Sequence, residues 1–225
     1  MKREMDFVDE CYADKDLSLL KKLTLVIPTY NRNYYLSRCL WYHAHFPFGQ
    51  IIVADSSPEE KKVVNRETVS KIRELFGVDV LYLEYEPETD KYGGDIYRKW
   101  RDAVMHVETE YSQICTDKEF VIPTTILSGI IFLEDNLNYI ATQGYEYGIL
   151  ERTWEDGGHT ILFNRHPTRH SEEADDAMER ILHSFKTCNG FANSILLSLM
   201  RTTIIKEIYN IYYNTYYYFW LFCEL

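Results

Sequence analysis

The sequence predicts an α/β protein: a mostly parallel central sheet flanked by helices, with a helical C-terminal part. Three observations carry this expectation. Short apolar runs of strand length recur in the first half, at "KKLTLVI", "QIIVAD", "VDVLYLEYE" and "YSQIC". Stretches with apolar residues every three to four positions separate them. Three of the runs end in polar turns, and an open α/β sheet takes its ligands at the carboxyl ends of its strands.

The elements follow in order. Leu23 to Ile27 is a continuous apolar run closed by Pro28, a buried-strand signal. "NYYLSRCLWYHAHF" follows with Leu36, Leu40 and Ala44 on one helical face. "QIIVADSS" is a second buried strand, ending at Asp55. "PEEKKVVNRETVSKIRELFG" starts with proline and acids and ends with glycine, as helices do. "VDVLYLEYE" is a third strand. "GGDIYRKWRDAVMHV" reads as a helix, with Ile96, Trp100, Ala103 or Val104, and Val107 on one side. "YSQICTD" is a fourth strand, and "PTTILSGIIFLEDNLNYIATQG" a long helix ending at Gly144. "EYGILERTW" and "HTILFN" pair antiparallel across the turn "EDGG". "HSEEADDAMERILHSF" is a charged helix, "NSILLSLMR" a strand, and the rest one or two helices.

The chain has 225 residues, 46% apolar and 26% charged, within the range of a globular protein. A formal charge of -11 with dispersed basic residues argues against a nucleic-acid partner, whose phosphates it would repel. Five cysteines without a CxxC pair read as reduced core thiols, which favours the cytoplasm. The N-terminus is too polar for a signal peptide, and no apolar run reaches eighteen residues, so no transmembrane segment is expected. The aromatic tail "YYNTYYYFWLFCEL" reads as a core helix; peripheral membrane contact is the minority reading.

Three strand-end turns hold the residues that could carry chemistry. In "YSQICTDKEFVIP", Asp117 and Glu119 are two apart, so in an extended segment both point to one side. Mg²⁺ or Mn²⁺ is held by one or two carboxylates plus phosphate oxygens, so this pair suits a nucleoside diphosphate. On spacing alone, a solvated acidic turn explains them as well. Asp55 either accepts from an imide N–H of a base or caps the helix near Pro58. In "PTYNR", Pro28 and Thr29 end a strand and Arg32 suits a phosphate or a base, with Asn31 as a rival helix cap.

Other patterns are weaker. "YGGD" lacks the G-x-G-x-x-G spacing of a dinucleotide site, and no G-x-S-x-G or Walker loop occurs. "HPTRH" has a metal-like spacing, but Pro167 argues against the helix it needs. Ser56 and Ser57 have no histidine nearby in sequence to activate them.

Taken in order, "LVIPTYNRNYYLSRCL", "IIVADSS" and "YSQICTDKEFVIP" resemble the family 2-type glycosyltransferases of the GT-A fold. More narrowly, the stretch from "YRKWRDAV" to "LNYIATQG" looks like a bacterial subgroup with an acidic triplet followed by Phe. The resemblance covers Leu23 to Gly144 well and the remainder loosely. It implies a GT-A-like (Rossmann-like) sheet divided as an N-terminal extension over 1–22, a nucleotide-sugar-binding half over 23–144 and an acceptor-side part over 145–225. It implies inverting transfer of a sugar from a nucleotide-sugar donor, UDP-linked, to the hydroxyl of a glycan, lipid-linked or protein acceptor. Pro28, Thr29, Arg32 and Asp55 would contact the nucleoside. Thr116 and Asp117 would lie by the ribose and metal, Glu119 would be the chief metal ligand, and Lys99 would approach the diphosphate.

Two departures stand out. Lys118 occupies the middle of the triplet, where the family has an acid. The chain stops just after Glu224, the residue placed where the subgroup has the glutamate suited to the general base, whereas the subgroup normally continues, which leaves truncation of the acceptor-side part an open reading. The acids Glu172, Glu173, Asp175 and Asp176 are rivals for that role. Two other classes stay open: a non-catalytic GT-A-like module that binds a glycan or partner, and a nucleotidyltransferase, although "PTYNR" stands where the latter would carry a glycine-rich loop.

Overall fold

Leu23–Thr29 is buried along its whole length, and this explains why its sequence does not alternate. A strand covered on both faces reads as a nearly continuous apolar run. Leu25 and Ile27 face one helical layer, while Val26 faces the other. In this computed structural model, residues 11–91, 95–145, 147–153, 159–165, 173–187 and 197–214 are described.

The strands are β1 Leu23–Thr29, β2 Gln50–Asp55, β3 Val80–Glu84, β4 Tyr111–Ile114, β5 Ala141–Thr142, β6 Tyr147–Thr153, β7 His159–Arg165 and β8 Leu199–Arg201. The helices are α1 Asn33–His43, α2 Glu59–Phe76, α3 Ile96–Met105, α4 Pro123–Asp135, α5 Ala177–Thr187 and α6 Thr202–Asn214. Short 3₁₀ turns cover Ser18–Lys22 and Pro87–Asp90.

The main sheet has the order β3-β2-β1-β4-β8-β5. β1 to β4 are parallel to one another, and β8 runs antiparallel between β4 and β5. The expected mixed α/β architecture with a mostly parallel sheet is therefore present. β1 is central, and the direction of winding changes beside it. β2 lies on one side and β4 on the other, which makes this a topological switch point, and an open α/β sheet takes its ligands at the carboxyl ends of the strands beside such a point.

Two helical layers cover the sheet. Leu36, Leu40, Val69 and Ile72 of α1 and α2 pack on Ile27, Ile51 and Val53. Ala103 and Val104 of α3, with Ile205 and Tyr209 of α6, pack on Val26, Ile52 and Ile114. A third cluster joins Leu20, Leu23 and Phe46 to Ile126, Ile130 and Leu133 of α4. Leu20, ahead of β1, is fully buried there.

Several elements differ from expectation at their ends. α4 stops at Asp135 rather than reaching Gly144, and β5 follows at Ala141–Thr142. The cause is tertiary. Arg201 donates to the carbonyls of Leu133, Asn136 and Tyr139, closing the helix end from the neighbouring strand. Asn31 is not the cap of α1; it adopts φ +55°, a left-handed conformation that Asn tolerates, and Arg32 is the capping residue. The charged helix begins only at Ala177, where Asp176 accepts from the Glu179 N–H. β6 and β7 do pair antiparallel, from Tyr147↔Arg165 to Thr153↔His159. No described helix is long and apolar enough to cross a membrane.

Candidate functional site at the carboxyl edge of the sheet

β1 holds both its neighbours only as far as Val26. The β4 ladder ends at Val26↔Ile114, while the β2 ladder continues to Thr29↔Asp55. Pro28, which has no N–H, is buried in this last stretch. Thr29 therefore reaches the edge with its side chain free to turn toward the loop that follows β4.

That loop carries Asp117. The carboxylate is 2% exposed, and its Oδ2 accepts from Thr29 Oγ1 at 2.7 Å. Its Oδ1 lies 3.5 Å from Arg32 Nη1, whose side chain is 52% exposed. Burial raises the Asp117 carboxyl above its ordinary value; the Thr29 bond and the Arg32 charge offset this only in part. Lys118 is exposed beside it.

Glu119 does not share an extended segment with Asp117. β4 ends at Ile114, and residues 116–119 form a turn in which Glu119 N–H donates to Thr116 O at 3.0 Å. The Glu119 carboxylate folds back to accept the Thr116 N–H at 3.0 Å. Two carboxylates two positions apart share a face only in a strand, and here a turn replaces the strand. The Thr116 hydroxyl is buried without a hydrogen-bond partner.

Asp55, at the end of β2, is fully buried and accepts three hydrogen bonds from within the protein. Oδ1 accepts from Ser57 N–H at 2.7 Å; Oδ2 accepts from Asn65 Nδ2 at 2.6 Å and from the Tyr82 hydroxyl. It does not cap α2, whose capping residue is Pro58. It instead ties β2, β3 and α2 together. The Tyr82 hydroxyl is pushed up by burial and by this bond.

Lys99 lies beneath the same edge and is 1% exposed. Its ammonium donates to Ser56 Oγ at 2.8 Å, to Thr29 O at 3.3 Å and to the Asp90 carboxylate. Ser56 contacts Asp90 and Thr29 O and has no histidine partner among the described residues, so its hydroxyl is structural here. Burial lowers the Lys99 ammonium, against the raising effect of Asp90.

The edge thus brings Pro28, Thr29, Arg32, Asp55, Lys99, Thr116, Asp117 and Glu119 into one region, with distinct roles for each carboxylate. Glu224 and Glu172 lie outside the described residues, as do the "GG" of "YGGD" and "HPTRH". Sequence reading missed Asn65, Tyr82 and Asp90. Asn65 left a signal: it is the uncharged polar member of the buried stripe Lys62, Asn65, Val69, Ile72 of α2. Asp90 left none.

A second cluster lies under the acidic turn. Cys39, His43 and Cys115 place their ligand atoms within 4.8 Å of one another. The ring nitrogens of His43 are already engaged: Nδ1 is 2.9 Å from Cys39 O, and Nε2 accepts Val121 N–H at 3.3 Å. A metal at Nδ1 would put the proton on Nε2, facing a second donor. The thiols lie 3.6 and 3.5 Å from Glu119 O. These are reduced core thiols that brace the turn, and the adjacent Cys39, with burial, raises the Cys115 thiol against the lowering effect of His43.

No family model matches the sequence, and no curated protein does. Solved structures resemble the fold. One is a mannosyltransferase, PcManGT from Pyrobaculum calidifontis, in complex with GDP-Man and Mn²⁺: 19% identity, TM-score 0.43, over 53% of this chain and 34% of that one. A second is TarS from S. aureus: 14% identity, TM-score 0.48, over 82% and 48%. A third is 4-diphosphocytidyl-2C-methyl-D-erythritol synthase from Anaerococcus prevotii: 8% identity, TM-score 0.45, over 86% and 77%. The chain spans about a third of the first protein and about half of the second. With each of these TM-scores below 0.5, the architecture rests on the chain's own strand order.

Proposed function

We propose that this chain is a GT-A-like glycosyltransferase that moves a sugar, with inversion, from a nucleotide-sugar donor, UDP-linked, to an acceptor hydroxyl. The observation that carries the reading is the buried Asp117 carboxylate between Thr29 and the half-exposed Arg32. It sits at the diverging ends of β1 and β4, where an open α/β sheet binds ligands. The sequence resemblance of the three strand-end motifs supports it.

The oxygen-only donor set suits a hard divalent cation, Mg²⁺ or Mn²⁺. Asp117 would hold it, since its carboxylate accepts one short hydrogen bond and one long contact. Glu119 would join only by releasing the Thr116 N–H. Such an ion supplies neutralisation of charge on the leaving diphosphate. Arg32 contributes a guanidinium at the same rim, and Thr29 orients the Asp117 carboxylate. The acceptor side is assigned to 145–225, whose β6–β7 hairpin exposes Ile149 and Phe163 as cross-strand partners. Glu224 is assigned the general base of the inverting step.

Calorimetric titration with UDP, GDP and their sugar conjugates, with and without Mn²⁺, tests the reading. Absence of binding to every nucleoside diphosphate would overturn it. A non-catalytic binding module remains the rival, favoured by the turned-in Glu119; hydrolysis or transfer of any nucleotide sugar excludes that rival.

A further inference from the structure

Lys99 is the most deeply buried cation among the described residues. An ammonium has three N–H donors, and here three acceptors take them: Thr29 O, Ser56 Oγ and the Asp90 carboxylate. None is left for a phosphate. The three acceptors come from three different places: the end of β1, the turn after β2 and the 3₁₀ turn Pro87–Asp90. The Ser56 N–H also donates to Thr29 O, at 3.2 Å.

We infer that Lys99 is a positioning residue of the donor edge and not a ligand of the diphosphate. Its ammonium holds the Thr29 carbonyl, and the Thr29 hydroxyl in turn holds Asp117 at 2.7 Å. The Asp55–Ser57 turn and the Asp117 turn are thereby set in one geometry by a single interior charge. Asp90 is its counter-ion, without which a buried ammonium is strongly unfavourable. The inference rests on the proposed donor site and adds that this lysine acts through Thr29 and Ser56.

The experiment compares wild type with Lys99→Met, Asp90→Asn and Ser56→Ala in two measurements. The first is affinity for UMP and UDP in the presence of Mn²⁺. A positioning role predicts that Lys99→Met weakens both by the same factor, on the order of tenfold, the scale for groups that orient a ligand's direct partners. Loss confined to UDP means direct phosphate contact and overturns the inference. Asp90→Asn is expected to weaken both ligands as well; tighter UDP binding would make Asp90 a competitor of phosphate and also overturn it. Ser56→Ala removes one tie without stranding a charge, so it decides the matter if the charge variants do not fold; equal, smaller losses for both ligands are expected.

The second measurement needs no ligand. Amide hydrogen exchange at Ser56 and Asn31 should speed up in the folded variants while β3 amides stay protected. Unchanged exchange overturns the inference. If wild type binds neither nucleotide, the proposed function fails on that result alone, and exchange still judges the role of Lys99.

Discussion

Asp55 and Asp117 are the same residue type, one the last residue of a parallel strand and the other in the turn after one, and each is nearly inaccessible at 0% and 2% exposure. Their surroundings differ. Asp55 accepts from a backbone N–H, an amide and a phenol, all within the protein. Asp117 accepts one short bond from Thr29 and a long contact from an arginine that is half in solvent. Burial alone therefore does not mark a functional carboxylate. What separates the two is how far their acceptors are used: Asp55 takes three short hydrogen bonds and joins elements, whereas Asp117 takes one and keeps acceptor capacity at the rim.

The largest effect expected from this contrast is on stability. Asp55→Ala strands the Asn65 amide and Tyr82 hydroxyl in the core and should cost about 3 kcal/mol in urea denaturation. A cost below about 1 kcal/mol would mean that those groups find other partners and that Asp55 is not the joint described. Asp117→Asn should behave in the opposite way. Its stability should change by under about 1 kcal/mol, because the shape and the Thr29 bond survive. Mn²⁺-dependent nucleotide affinity should fall by roughly tenfold or more. Retained metal dependence would remove Asp117 from the proposed site.

A smaller effect is expected at the rim. Arg32→Ala should lower stability by about 0.5 kcal/mol or less, since half the side chain is already in water. Nucleotide affinity should drop only a few-fold, and a steep loss would promote Arg32 to the main phosphate contact. The smallest expected signal is in pH. The Asp117 carboxyl is raised by burial from its ordinary 3.8, so the folded chain keeps this proton longer than the unfolded chain. Ionising it costs the fold: the penalty is absent below 3.8, grows as pH rises through the raised value and is complete above it. Thermal melts of wild type should therefore lose stability relative to Asp117→Asn across that window. A difference of the opposite sign would show that Thr29 and Arg32 outweigh burial.

Much of the frame was legible in the residues. "LTLVI" and "QIIVAD" have too many consecutive apolar side chains for a half-exposed strand, so they report burial on both faces and hence a parallel sheet with helices on either side. Helix α2 announced both its ends, with Glu59 and Glu60 in the first turn and Gly77 at φ +66° after the last. The three strand-end turns were also legible as the places where chemistry would gather.

What those residues do there was settled by contacts distant in sequence. Asp55 is satisfied by Asn65 and Tyr82, ten and twenty-seven positions away. α4 ends where Arg201, arriving sixty-eight positions later, takes the Leu133 carbonyl. Lys99 was placed near the diphosphate by resemblance alone, and only the fold shows that Asp90, Ser56 and the end of β1 surround its ammonium. Asp117 and Glu119 looked alike until the chain turned at Thr116 rather than continuing as a strand. The amino-acid order determines periodicity, burial tendency and local capping, because these depend on neighbours along the chain. The partner of each polar group at the edge is decided only when the strands assemble, because each is a hydrogen bond between segments that the sequence holds far apart.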